Sequence, residues 1–96
     1  MAADGVIRVK PARLKNIAGD LGSIYSKLSD TRNQLERLHA GIRANWSDPA
    51  VDDFTAKYNV FMDRIWDLLV AVDSMESFLT EAADSYMAAD RKIQSL

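Results

Sequence analysis

Apolar residues recur along this chain at alternating steps of three and four, in two long runs. The first run is Leu14, Ile17, Leu21, Ile24, Leu28, Thr31, Leu35, Leu38 and Ile42, with Thr31 its one polar member. The second is Val51, Phe54, Tyr58, Phe61, Ile65, Leu68, Val72, Met75, Leu79, Ala82, Tyr86, Ala89 and Ile93. Such spacing keeps one stripe on one side of an α-helix. Sustained over many turns, it specifies packed helices and not strands.

Local signals set the limits of the two helices. Pro11 suits a first helical turn, where its missing N–H is no loss. Asp48 is a good N-cap, Pro49 follows at the first helical position, and Asp52 and Asp53 lie in the first turn, where the helix dipole favours negative charge. Gly41 and Asn45 loosen the end of the first helix. Gly19 and Gly22 fall on its outer positions and weaken it. The chain therefore reads as one domain over residues 1–96, with a first helix over about 11–44, a turn at 45–48 and a second helix over about 49–92.

Folding the chain at Trp46 aligns the two runs. Leu14 meets Leu79, Ile17 meets Met75, Leu21 meets Val72, Leu28 meets Ile65, Leu35 meets Tyr58, Leu38 meets Phe54 and Ile42 meets Val51. Phe61 falls opposite Thr31, the smallest member of the first run. The expected fold is all-α, an antiparallel two-helix hairpin. The second helix is the longer, so its last part, from roughly Ala83 onward, overhangs and carries Tyr86 and Asp90 with it.

Two helices make a seam and leave apolar surface uncovered. A second stripe runs through Met62, Trp66 and Leu69, with Tyr25 at a similar height on the first helix. These four are the expected dimer interface, through which two hairpins close a four-helix bundle; a small chain that cannot bury enough surface alone often pairs. The alternative is a lone hairpin with scattered exposed apolar residues.

Charge adds an asymmetry to this picture. Residues 1–45 carry eight Lys and Arg against four Asp and Glu, for +4, and residues 46–96 carry four against ten, for −6. Opposite halves favour antiparallel pairing. No basic patch is dense enough for nucleic acid. With no Cys and a single His, His39, there is no thiolate or multi-His metal site. No nucleophile with a base and no phosphate loop is present, so neither an enzyme, a cofactor nor a small-molecule substrate is expected. The N-terminal stretch has no apolar leader segment. The most apolar run, Ile65 to Val72, is interrupted by Asp67 and too short to span a bilayer.

The midpoint turn and the C-terminal run together resemble the WXG-type family, the early-secretory-antigen-like substrates of type VII secretion. Trp46 takes the Trp position, Ser47 the variable one, and Asp48 stands where the family has Gly. Ala50 and Phe54 match the small and aromatic residues that follow. Tyr86-Met87-Ala88-Ala89-Asp90 matches the family's Tyr-x-x-x-Asp/Glu export signal. The resemblance covers essentially the whole chain. It implies export as a folded dimer by a leaderless route, from cytoplasm to exterior. It also implies recognition of Tyr86 and Asp90 by a membrane-bound secretion ATPase. The pair is either a homodimer or a heterodimer with a related family member.

Two other readings share these residues. A cytoplasmic coiled-coil adaptor has the same fold and no export role. A membrane-active amphipathic protein is disfavoured by the acidic second helix, which anionic lipid repels.

Overall fold

A computed structural model describes residues 9–94, so the first eight residues, on which most of the leaderless reading rests, lie outside the described residues. Two helices form the chain: α1, Pro11–Asn45, and α2, Ala50–Gln94. They pack antiparallel as a hairpin, and no strand occurs among the described residues. The molecule measures 72 × 25 × 13 Å. It is thus a single layer of two helices side by side, with two broad faces.

The helix ends have the causes that their residues suggest. Lys10 is extended, and its carbonyl accepts from the Arg13 and Leu14 amides at 2.9 and 3.2 Å. Pro11, which has no amide hydrogen, follows it. At the turn, the Ala50 amide donates to Asp48 Oδ1 at 2.8 Å. The Val51 amide donates to the Asp48 carbonyl at 2.9 Å. Asp48 therefore caps α2 both through its side chain and through its backbone.

The hairpin core centres on Met62, Ile65 and Leu69, with Leu28, Leu35 and Tyr58 packed against it. Val51, Val72, Ala18 and Ala83 are also buried. Leu28 thus lies against the cluster that contains Ile65, and Leu35 beside Tyr58. Ile17 and Met75 line one groove together. The expected heights of pairing hold at these points.

The rotation of the seam differs from expectation, and in the same sense on both helices. The central rows are as read: Leu14, Leu21, Leu28, Leu35 and Ile42 are half-buried on α1, and Val51, Ile65 and Val72 are buried on α2. The neighbouring row that turns inward is not Ile17, Ile24, Thr31 and Leu38, but the one with Ala18, Arg32 and His39, in which Tyr25 stays exposed at the margin. On α2 it is not Phe54, Phe61, Leu68 and Met75, but Thr55, Met62, Leu69, Glu76 and Ala83. Phe61, Leu68 and Met75 stay 53%, 53% and 50% exposed. Steps of three and of four from a central row lie at comparable angles to either side of it. Periodicity alone therefore does not say which neighbouring row the hairpin closes on.

Met62 and Leu69 are accordingly corrected: they lie in the seam, 8% and 3% exposed, and do not form an outward stripe. The overhang also starts later than expected. Ala83 is fully buried, and Lys15 Nζ pairs with Asp84 Oδ1 at 2.8 Å across the two helices. Gly22 is half-buried rather than outer, and a Cβ there would meet the Glu76 carboxylate.

Candidate functional site

The two ends and the two broad faces of the hairpin are its candidate docking surfaces. At the turn, Trp46 leaves α1 in extended conformation, φ −134° and ψ 109°, and carries the chain sideways to the capping Asp48. Its indole sits 6.2 Å from the Phe54 ring, tilted by 51°. The ring is 38% exposed, so it shields one flank of Phe54 and offers its other side to solvent. Ser47 and Asp48 are exposed.

Behind Trp46 lies a cluster that the sequence did not announce. The His39 ring stacks on Tyr58 at 4.0 Å and an interplanar angle of 6°, with Phe54 at 6.3 Å. His39 Nε2 lies 3.1 Å from Thr55 Oγ1, which also accepts from Arg43 Nη1 at 3.2 Å. These contacts tie α1 to α2 at the turn and hold the ground beneath the Trp46–Phe54 pair. The available signal was the seven-residue row Ala18, Tyr25, Arg32, His39, whose mixed chemistry hid its inward position.

At the far end, Tyr86 and Asp90 are both exposed and four residues apart, so they share one face of α2. Tyr86 continues the row Val51–Leu79 and Asp90 continues the row Met62–Ala83. These are the two inward rows of the seam. Among the described residues α1 begins at Pro11, so the rows that α1 covers along the rod come out to solvent near its tip. Tyr86 is 36% exposed there, and Met87 beside it is half-buried. Roughly 60 Å of helix separates this pair from the turn, at about 1.5 Å per residue. One chain therefore presents the two as separate sites.

The broad faces differ in character. One carries Ile17, Ile24 and Leu38 on α1, and Phe54, Phe61, Leu68, Met75 and Phe78 on α2. All are between 37% and 72% exposed. A groove of about 480 Å³ lined by Ile17, Leu21, Met75 and Phe78 opens on it near the tail end. A second, lined by Leu35, Phe54, Tyr58 and Phe61, opens near the turn. By helical spacing the opposite side carries Trp66, 55% exposed, with Asp63 and the exposed Val70 beside it, and the Lys15–Asp84 pair. Tyr25, 37% exposed, belongs to the inward row. The four residues expected to form one interface therefore separate: two into the seam, one at its margin and one on the opposite side.

Among the described residues, no group of three or more His, Cys, Asp or Glu side chains is placed to hold a metal ion. No described helix is long and apolar enough to cross a membrane.

Comparison with known proteins bears on these surfaces. The model of a family described as proteins of 100 residues with WXG matches residues 6–91. The crystal structure of a mutant of the secreted protein EsxB from Bacillus anthracis strain Sterne matches with a TM-score of 0.80. It does so at 18% identity, over 92% of this chain and 98% of that one. At that identity the likeness shows the hairpin fold alone. No curated protein sequence matches the chain.

Proposed function

This chain belongs to the WXG100 family, and we propose that it is a substrate or escort of a type VII secretion system, exported as a folded dimer. Tyr86 and Asp90 form its export signal, read by a membrane-bound secretion ATPase, and Trp46, Ser47 and Asp48 form its turn motif. The observation that carries the reading is the position of Tyr86 and Asp90. They prolong the two seam rows toward the end of the rod, exposed and on one face of a continuous helix. A docking protein there meets a preformed helical surface and has little chain entropy to remove. In an antiparallel dimer the turn of one chain lies near the tail of the other. Trp46 then joins the partner's Tyr86 and Asp90 in one composite surface.

The test is export from a host that carries a type VII system. Tyr86→Ala and Asp90→Ala each remove wild-type levels of the protein from the medium. Helicity by circular dichroism and thermal midpoint stay at wild-type values, because neither side chain is in the core. Normal secretion of both variants overturns the signal reading. Retention of the wild-type protein inside intact cells favours the adaptor reading instead.

A further inference from the structure

We propose that the export signal is completed from α1: a groove lined by Val9, Lys10, Arg13, Leu14 and Ile17 takes an acidic segment of the same receptor that reads Tyr86 and Asp90. This rests on the export reading above and gives the receptor a second contact of stated chemistry.

The groove lies beside the signal. Lys15 Nζ pairs with Asp84 Oδ1 at 2.8 Å, which fixes the relative height of the two helices at this end. Counting outward from that pair along antiparallel helices, Arg13 comes level with Tyr86 and Lys10 with Ala89. Ile17 lines this groove and also the neighbouring one that holds Met75 and Phe78. Tyr86 lies three turns beyond Met75, so the two face within about 20° of each other on an ideal helix. The groove and the tyrosine therefore open to the same side.

The charges at its rim have no use within the chain. Lys10 and Arg13 are exposed, and among the described residues neither is in an ion pair. Lys10 holds the N-cap position without a side-chain cap, and the first turn of α1 carries no acid. The helix dipole disfavours cations at this end and favours acids, such as Asp52 and Asp53 at the start of α2. The two bases therefore do nothing for the stability of α1. A local choice that goes against stability, with no compensating contact, is expected of a residue whose partner lies outside the chain.

The shape and charge of the groove define the occupant. It holds about 420 Å³, room for a few side chains, with apolar Leu14 and Ile17 as its floor and two cations at its rim. A segment with Asp or Glu beside an apolar residue complements it. Asp90, level with Val9, asks for a base. A receptor that sets an acid against Lys10 and Arg13 and a base against Asp90 has its register fixed, because a slipped alignment brings like charges together.

Export and mass, measured on the full chain, test the contact together. Lys10→Glu/Arg13→Glu lowers the protein in the medium at least about tenfold, because repulsion replaces attraction across the contact. Lys10→Arg/Arg13→Lys keeps the charge and is secreted at the wild-type level. Lys27→Glu/Arg37→Glu makes the same change in net charge elsewhere on α1 and is also secreted at the wild-type level. Helicity and the mass in sedimentation equilibrium of Lys10→Glu/Arg13→Glu match wild type, since acids at the start of α1 suit its dipole. Wild-type export of Lys10→Glu/Arg13→Glu overturns the proposal, as does equal loss from Lys27→Glu/Arg37→Glu. Altered helicity or mass in Lys10→Glu/Arg13→Glu also overturns it, because the two bases then act within the fold or between copies of the chain. Normal secretion of Tyr86→Ala and Asp90→Ala removes the signal reading itself. Their retention, with Lys10→Glu/Arg13→Glu secreted, removes the second contact alone.

Discussion

At the scale of single residues, Asp48 shows how one side chain can replace another's backbone freedom. Its Oδ1 accepts the Ala50 amide at 2.8 Å, which satisfies a donor that the start of α2 would otherwise leave open. Asp48→Ala removes that acceptor and costs about 1 kcal/mol, whereas Asp48→Gly costs only a few tenths. Thermal unfolding checks both: a fall of about 4–8 °C for the first and a much smaller one for the second. The capping role was legible in the order Asp-Pro followed by acidic residues, because a cap is a local interaction. His39 was not legible. Its stack on Tyr58 and its contact with Thr55 join residues sixteen or more positions apart, and only the closed hairpin brings them together.

At the scale of the helices, the rows decide everything, and small residues show how closely. Nothing lies within 4 Å of a Cβ built on Gly19. Gly19→Ala therefore gains helix propensity without a clash and stabilises the chain by about 0.5–1 kcal/mol, measured as a higher denaturation midpoint in urea. At Gly22 the Glu76 carboxylate occupies the space that a side chain would fill. Helix type, length and height of pairing were readable from the repeat, as Leu28 beside Ile65 and Leu35 beside Tyr58 show. The choice of inward row was not. Met62 and Leu69 went in and Phe61 and Leu68 stayed out, because rows at either side of Ile65 are nearly equivalent to an isolated helix.

At the scale of the whole molecule, a layer 13 Å thick has no interior beyond its one seam. Few large side chains are deeply buried, and eight large apolar residues of one face remain exposed. In the dimer proposed above, folding and pairing are linked by mass action. The thermal midpoint of the wild-type chain rises with protein concentration. Scanning calorimetry over a hundredfold range of concentration checks this, and a midpoint that does not move counts against the dimer. The turn with Trp46 and the end with Tyr86 and Asp90 are held far apart by the stiffness of the helices, so the composite surface proposed above needs two chains.

The order of apolar and polar residues, with Pro11 and Asp48 as punctuation, was enough by itself to determine two helices, one turn, their pairing and the family resemblance. Each of these follows from local backbone preference or from counting along a helix. Which side of each helix faces the other, and hence which face is left uncovered, was decided only by the tertiary structure. In the closed hairpin His39 meets Thr55 and Tyr58, and Glu76 meets Gly22, across the seam, and helical periodicity is blind to such contacts.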